Sequence, residues 1–360
     1  MLSQVIFLEP GKITFAPVNN KSKALDSLTH IALGACLGDA FAGKQLGKRA
    51  MFLGAVAQSV PDIDFIASFW LNTSENLLGH RGFTHSLLFV VLITPLLALV
   101  AERWHRPHDI SLNKWIVFFG AQGLVHLLLD GMNVYGVGLF EPFSHLRVSY
   151  NWIFVADPFY SVWLGIAFVA LLILKKKHPR RGWWIRFGVG MSTIYLLYCG
   201  LNKIKIDHDV RDVFRKEGIA YNSYFTTPTP LNNWLWYVVA ANDSGYQVGY
   251  RSLFDKERKI DFHFIPRNDH LLKSVENHED LHKLIRFSKG YYTVQQWNDT
   301  LVFSDIRFGQ MIGWNNPDAR FVFHYFLQHP KGNKLVVQRG RFSNWDMNAL
   351  RALLRRIRGN

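Results

Sequence analysis

Two long apolar stretches decide the fold of this chain: residues 86–101, SLLFVVLITPLLALVA, and residues 115–131, WIVFFGAQGLVHLLLDG. Each approaches the roughly 20 apolar residues that a helix needs to cross the hydrocarbon core of a bilayer. Further apolar stretches lie at residues 28–42, 50–70, 152–174 and 183–201. The first 200 residues are therefore predicted to form a polytopic α-helical membrane domain of about five to six segments.

The sequence changes character after about residue 203, where charged residues return and no comparable apolar run appears. Short runs rich in aromatic and β-branched residues follow, punctuated by Gly, Asn and Asp, which is typical of strands and turns. These runs predict strands at 234–241, 246–254, 260–265, 291–297, 301–308 and 320–327. Helical patterns fall near 270–287 and 344–358. A small soluble α+β domain is therefore predicted after the membrane domain.

This change in composition divides the chain into three parts. Residues 26–202 are predicted to be the membrane-embedded domain and residues 203–360 the soluble domain. Residues 1–25 lack the charged start, apolar core and cleavage site of a signal peptide, and are predicted to be an N-terminal extension or, alternatively, the result of a misassigned start.

The net charge of +14 raises the question of nucleic-acid binding. Lys and Arg are spread over loops and the whole C-terminal part, and no nucleic-acid-binding motif accompanies them. No nucleic-acid partner is therefore predicted. Cys36 and Cys199 are the two cysteines of the sequence, both inside apolar stretches, which excludes a disulfide framework and a Cys-based zinc finger.

Basic residues occupy alternate loops of the membrane domain. They are Lys44, Lys48 and Arg49; Arg103, Arg106 and Lys114; and Lys175, Lys176, Lys177, Arg180, Arg181 and Arg186. Because Lys and Arg in short loops stay on the cytoplasmic side, these loops are predicted to be cytoplasmic. The C-terminal domain is then predicted to be external, or periplasmic in a Gram-negative cell. Asp39 interrupts the first apolar stretch, so a full and a partial crossing both remain open there.

The membrane half is unusually rich in His and Asp. These residues are Asp26, His30, Asp62, Asp64, His80, His85, His126, Asp130 and Asp157. Ionisable groups are costly inside a bilayer and usually face a bundle interior or a wet cavity. With the predicted topology, helices that run in opposite directions bring them to one layer within roughly 10 Å of the outer boundary. Asp26 is interpreted separately, as the N-cap of the first helix.

The spacing of these residues favours a metal site. His126 and Asp130 are four residues apart, so they project from one face of a helix and can hold one ion together. Pro61 breaks the second segment and frees the carboxylates of Asp62 and Asp64. Imidazole and carboxylate ligands without thiolates suit zinc, manganese or iron. The number of candidates favours two ions over one, so one to two divalent ions are predicted, of zinc or manganese.

Five motifs together resemble those of the YdjM-like family of membrane-bound metal-dependent hydrolases. They are DSLTH at 26–30, PDID at 61–64, HRGFTHS at 80–86, HLLLD at 126–130 and Asp157-Pro158. The resemblance covers roughly residues 26–200, and HRGFTHS is its most specific element. It implies a metal-dependent hydrolase of a bacterial inner membrane and leaves the substrate undefined.

Roles can be assigned to these residues as hypotheses. The predicted metal ligands are His30, Asp64, His85, His126 and Asp130, with His80 and Asp157 as further ligands or as partners that orient the imidazoles. Asp62 is predicted to be a general base or a further ligand. Arg81 is predicted to clamp an anionic substrate oxygen or, alternatively, to form an interfacial salt bridge. In the C-terminal domain, Asp305 and Arg307 are interpreted as an ordinary exposed pair, with a contribution to a surface site as the alternative.

The function predicted from the sequence is hydrolysis of a phosphoester or ester in a membrane-associated substrate through a metal-activated water. The lipid bilayer is the predicted partner, and a membrane lipid is a candidate substrate. A metal or proton transporter is the alternative, since His and Asp on facing helices also form ion pathways. Transport needs polar groups through the full bilayer depth, whereas the inner halves of the third and fifth stretches are almost entirely apolar. A scaffold that only displays the C-terminal domain would leave the polar cluster unexplained.

Overall fold

The computed structural model describes residues 4–9, 12–17, 21–105, 110–298, 300–327, 336–338 and 345–359. Residues 4–9, 12–17, 21–25 and 336–338 are described by their backbone alone. The chain divides into two compact units, which are called the helical unit and the sheet unit. The helical unit comprises Ser22–Phe69 and Gly79–Gly200, and the sheet unit comprises Met1–Lys21, Trp70–Leu78 and Leu201–Asn360.

The described elements are as follows in chain order. The α-helices are α1 (Lys21–Leu46), α2 (Lys48–Ser59), α3 (Thr73–Gly79), α4 (Leu87–Trp104), α5 (Leu112–Gly131), α6 (Pro158–Ile173), α7 (Arg181–Glu217), α8 (His278–Phe287) and α9 (Met347–Ile357). Short 3-10 helices span Pro61–Phe69, Phe83–His85 and Asp269–Ser274. The strands are β1 (Gln4–Glu9), β2 (Lys12–Pro17), β3 (Ser223–Pro228), β4 (Leu235–Ala241), β5 (Gly245–Ser252), β6 (His263–Pro266), β7 (Tyr292–Trp297), β8 (Thr300–Gln310), β9 (Phe321–Phe326) and β10 (Val336–Gln338).

Two helices of the described chain, α4 and α5, are long and apolar enough to cross a membrane. A third crossing results if α2 and the following 3-10 helix form one span, bent by 58°. The apolar helix α6 is shorter, with 16 residues. The structure thus establishes a membrane part with at least two candidate spans, while the number of five to six segments stays a prediction.

The bend after α2 has a local cause. Pro61 has no backbone N–H and cannot continue an α-helix, so α2 ends at Ser59 and a tighter helix begins at Pro61. Before the bend, α2 lies directly against α1, because a side chain at Gly34 or Gly54 would collide with the backbone of the facing helix. Small residues allow such close helix contacts in membrane proteins.

The far end of α1 is fixed by an ion pair. Asp39, which interrupts the first apolar stretch, is buried and accepts hydrogen bonds from Arg181 Nε at 3.1 Å and Nη2 at 2.7 Å. At the same end Lys176 donates to the backbone carbonyl of Gln45, at 2.6 Å. The basic loops after α1 and α6 therefore lie side by side in the helical unit.

The sheet unit contains two antiparallel four-stranded sheets, ordered β3-β4-β5-β6 and β10-β9-β8-β7. Side chains of β4 alternate between two cores, as the period of two in a strand requires. Trp236 and Val238 pack with Val210 of α7, while Tyr237 and Val239 pack with Leu353 of α9. The strands β4 to β9 lie within a few residues of their predicted positions, whereas β1, β2, β3 and β10 were not predicted.

The prediction for Asp305 and Arg307 was wrong. Both residues are buried, and Arg307 donates to both carboxylate oxygens of Asp305, with Nη2 to Oδ2 at 2.6 Å and Nε to Oδ1 at 3.0 Å. Residues two apart on a strand share one face, and that face of β8 points into the sheet unit. The aromatic rings of Phe287 and Phe308 lie 5.0 and 5.2 Å from the guanidinium carbon.

Candidate metal centre

Four chain segments of the helical unit bring His and Asp side chains together. Asp26 and His30 come from the start of α1, and His126 and Asp130 come from the end of α5. Asp62 and Asp64 follow the break at Pro61, and His85 ends the 3-10 helix that precedes α4. Among the described residues, two groups have ligand atoms that lie within 4.8 Å of one another.

The first group consists of Asp62, His85, His126 and Asp130. The Nε2 atoms of the two imidazoles lie 3.1 Å apart. Asp130 Oδ2 is 3.3 Å from His85 Nε2 and 3.6 Å from His126 Nε2. Asp62 Oδ1 is 3.5 Å and 3.7 Å from the same two nitrogens. The four atoms converge on one point between them.

The second group consists of Asp26, His30 and Asp130. His30 Nε2 lies 3.2 Å from Asp130 Oδ1, and the His30 and His126 rings are 4.1 Å apart between centroids. Asp130 thus belongs to both groups and presents a different oxygen to each. Asp130 could therefore contribute an oxygen ligand to an ion held by either group.

The spacing of the first group fits a small divalent ion. Ligand bonds of about 2.0–2.2 Å in tetrahedral geometry place neighbouring ligand atoms about 3.3–3.6 Å apart. The separations that involve an imidazole nitrogen of the first group span 3.1 to 3.7 Å. In addition, Asp130 Oδ2 is buried and is paired with Arg81 Nε at 3.0 Å, without forming a well-aligned hydrogen bond within the described residues. A carboxylate oxygen has more than one lone pair, so Asp130 Oδ2 can also bind an ion.

Contacts behind the first group orient its imidazoles. His126 Nδ1 lies 2.6 Å from the backbone carbonyl oxygen of Gln58 and donates to it, which leaves Nε2 free to face the other ligand atoms. His85 Nδ1 lies 3.1 Å from Thr84 Oγ1 and 3.7 Å from Asp64 Oδ2. Asp64 therefore lies behind His85 and outside both groups of converging ligand atoms.

Arg81 lies against the carboxylates of both groups. Its side chain is 4% exposed, with Nε 3.0 Å from Asp130 Oδ2 and Nη2 2.5 Å from Asp26 Oδ2. Nη1 donates to Asn133 Oδ1 at 3.0 Å. The backbone at Arg81 has a φ of 57°, a left-handed conformation that costs a non-glycine residue on the order of 1–3 kcal/mol and is often found at functional sites.

His80 and Asp157 lie apart from the two groups. His80 Nδ1 is 3.1 Å from Asp64 Oδ2, and its side chain is 39% exposed. Asp157 caps α6 by accepting from the Phe159 N–H at 2.8 Å, and its other oxygen accepts from the Tyr195 hydroxyl at 3.0 Å. The structure gives Asp157 a helix-capping role and does not bring it into either group.

Sequence analysis missed Asp26 as a member of the cluster. Since α1 begins at Lys21, Asp26 lies inside the helix and is not its N-cap. The signal was present, because Asp26 precedes His30 by four residues, as His126 precedes Asp130. Gln58 and Asn133 were also missed. The carbonyl of Gln58 could not have been found, since every residue has one.

Fold and site together define a membrane protein with a buried His/Asp cluster that could hold a metal ion. The chain belongs to the family described as YdjM inner membrane protein, which matches residues 25–206. It is 32% identical to the inner membrane protein YbcI of Escherichia coli (strain K12) over 127 residues, which cover 35% of this chain and 72% of YbcI.

A second relative is the uncharacterized protein YfhP of Bacillus subtilis (strain 168). It is 26% identical over 170 residues, which cover 42% of this chain and 51% of YfhP. No solved structure matches the chain. The resemblance to the YdjM-like family is thus confirmed, and a protein of this family with helices able to span a membrane contacts the lipid bilayer.

Proposed function

We propose that the protein is a metal-dependent hydrolase of the inner membrane that cleaves a phosphoester or ester of a membrane-associated substrate. The observation that carries the proposal is the position of Asp130, with Oδ1 at His30 and Oδ2 at His85 and His126. A divalent ion held there would supply a water of lowered pKa and would polarise the substrate oxygen.

The two sides of the first group suggest a division of roles. His85, His126 and Asp130 are at most 1% exposed, which suits permanent ligands, whereas the Asp62 side chain is 31% exposed. Three protein ligands and one open position are typical of catalytic zinc sites. We therefore assign Asp62 to the open side, as the base that receives a proton from the attacking water.

Hydrolysis joins the water oxygen to the phosphorus or acyl carbon and breaks the bond to the leaving oxygen. Asp62 takes one proton from the water and returns it to the leaving oxygen, so that it ends the cycle as a carboxylate. Arg81 is proposed to neutralise charge that develops on a non-bridging oxygen. His80 and Asp64 are proposed to support the ligand loop, whereas Asp157 caps α6 outside both groups.

The placement of the cluster favours hydrolysis over transport. Asp26 and His30 lie toward one end of α1, and Lys44 lies about 21 Å from His30 along the helix axis. A one-sided site can reach a lipid head group at the membrane surface.

Exposed aliphatic side chains on α6 and α7, such as Val169 and Ile194, support further membrane segments beyond α4 and α5.

Domain limits and orientation remain part of the proposal. The membrane domain is proposed over residues 26–202, followed by a soluble domain on the external side. The basic loops at Gln45 and Lys176 lie at the end of α1 opposite to the cluster, which supports a cytoplasmic location for these loops. A reporter fused after Lys177 should behave as cytoplasmic, and one fused after Asn360 as external. A cytoplasmic signal at Asn360 would overturn the orientation.

The function is tested with the full chain in nanodiscs supplied with zinc or manganese. Wild type should release phosphate from p-nitrophenyl phosphate or from phosphatidic acid, and Asp62→Asn should be slower by about 10²- to 10⁴-fold while keeping its metal. His145→Ala, which removes an exposed histidine outside the cluster, is the matched control and should keep its activity. Wild type that carries metal and hydrolyses none of several phosphoesters and carboxylic esters would refute the proposal.

A further inference from the structure

An apolar groove lies between α1 and α5 in the helical unit. It has a volume of about 320 Å³. Leu37 and Phe41 line it from α1, and Val117, Ala121 and Val125 line it from α5. Val117 is 63% exposed, so the groove opens on the outer surface of a helix that can span the membrane. Hydrocarbon chains of lipids surround that surface.

The groove begins beside the candidate metal centre and leads away from it. Val125 directly precedes His126, and Val117 lies about 12 Å from Val125 along the axis of α5. On α1, Leu37 and Phe41 follow His30 by two to three turns. A chain that lies in the groove therefore extends from the depth of the cluster toward the opposite end of the helices.

Gln122 is the polar residue of the lining, one turn from His126. Its Nε2 donates to the carbonyl oxygen of Gly34 at 3.2 Å, which joins α5 to α1. Its Oε1 is buried and has no hydrogen-bond partner within the described residues. A free acceptor at this end suits a ligand with a polar head and an apolar tail, since a hydroxyl near the head could donate to it.

We propose that the groove holds one hydrocarbon chain of a membrane lipid whose head group is the substrate at the cluster. This inference rests on the proposed hydrolase function and names a lipid as its substrate class. An apolar lining gives a polar soluble substrate nothing to bind beyond the cluster, whereas it fits the chain of a lipid already in the bilayer. The lipid would reach the site by lateral diffusion, with its ester linkage at the height of His126.

Photo-crosslinking tests occupancy of the groove without relying on activity. The full chain is placed in phosphatidylcholine nanodiscs that contain phosphatidic acid with a diazirine in mid-chain, and adducts are mapped after illumination. Adducts should concentrate on the lining residues of α1 and α5. Ala121→Trp and Val117→Trp, two independent groove-filling variants, should each lose most of them. Leu92→Trp, at a 58% exposed position of α4, is the control and should retain them.

An activity measurement then separates the groove from the hydrolase function. For Ala121→Trp, the ratio of kcat/KM for phosphatidic acid to that for p-nitrophenyl phosphate should fall about tenfold, because a filled apolar pocket rejects a chain to this extent. The ratio should stay at the wild-type value in Leu92→Trp. Adducts spread evenly over all lipid-facing helices, or unchanged in both groove variants, would overturn the proposal. Localised adducts on a protein that hydrolyses neither substrate would refute the hydrolase function and support lipid binding alone.

Discussion

Buried aspartates meet arginine in both units, and the two regions differ in their charge balance. On β8 of the sheet unit, the guanidinium of Arg307 donates two hydrogen bonds to the carboxylate of Asp305. In the helical unit, Arg81 touches Asp26 and Asp130, while Asp62 adds a third carboxylate to the same cluster. The pair on β8 has no net charge. The three carboxylates of the cluster carry more negative charge than Arg81 alone neutralises.

This difference teaches how to separate a structural ion pair from a cation site. Burial of an ionised carboxylate is costly unless an opposite charge compensates it. On β8, Arg307 compensates the buried charge of Asp305. In the cluster, compensation of all the carboxylates needs further positive charge, and the nitrogen atoms of three imidazoles lie beside the same carboxylates. A divalent ion would supply the further positive charge and could be held by these carboxylate oxygens and imidazole nitrogens.

The largest expected difference concerns metal binding. Asp130→Ala removes the residue shared by both groups, so the purified variant should lose most of its metal and, with it, metal-dependent turnover. Asp305→Asn changes a buried carboxylate of the sheet unit and should leave the metal content at the wild-type level. Inductively coupled plasma mass spectrometry on both variants makes the comparison. Equal metal loss in the two would show that stability, and not ligation, controls the metal content.

The next effect is on the stability of the sheet unit. Arg307→Met leaves Asp305 buried without its partner, which should cost about 3–5 kcal/mol of unfolding free energy. Arg258→Met removes an exposed arginine that pairs with Asp212 at the surface, and should cost about 0–1 kcal/mol. Thermal or denaturant unfolding of the purified protein compares them. A similar loss of unfolding free energy in both variants would contradict a structural role for the buried ion pair on β8.

A smaller effect is expected for Arg81. If its guanidinium stabilises charge in the transition state, Arg81→Ala should keep its metal and lose about 10²- to 10³-fold in kcat. Arg81→Lys should recover part of the rate, since lysine keeps the charge without the paired donors. Metal content and kcat are measured on the same preparations. Joint loss of metal and rate would assign Arg81 to holding Asp26 and Asp130 in place.

The smallest effect is expected at the residue behind His85. Asp64→Asn should keep the fold of the ligand loop and weaken metal binding about 10- to 100-fold, because outer partners orient and polarise the ligating imidazole. Asp261→Asn, whose side chain is 83% exposed, serves as the control. Competition with a metal-binding dye gives both affinities. Complete loss of metal in Asp64→Asn would instead indicate direct ligation by Asp64.

Much of the helical unit could be predicted from the sequence. Apolar run length gave the positions of α4 and α5, and Pro61 gave the break after α2. The four-residue spacing of His126 and Asp130 placed both on one face of a helix that the structure turns toward the cluster. These features depend on residues that are close together in the sequence. Run length, the missing N–H of proline and the four-residue helical spacing can each be recognised without knowledge of tertiary contacts.

Features that depend on tertiary contacts could not be predicted. The segment Trp70–Leu78 belongs to the sheet unit, where Ser74 donates to Asp280 of α8, more than 200 residues away along the chain. Asp305 and Arg307 gave no sign of burial, because a charged pair is buried only where the surrounding fold completes its hydrogen bonds. Asp26 was misread because the true start of α1 lies five residues earlier.

The most direct test of the account is the metal content of wild-type protein purified in detergent without chelator. Its central claim predicts one to two transition-metal ions per chain, held by the cluster around Asp130 and lost in His126→Ala. Protein that stays metal-free after such a purification, and again after reconstitution with zinc and with manganese, would contradict it.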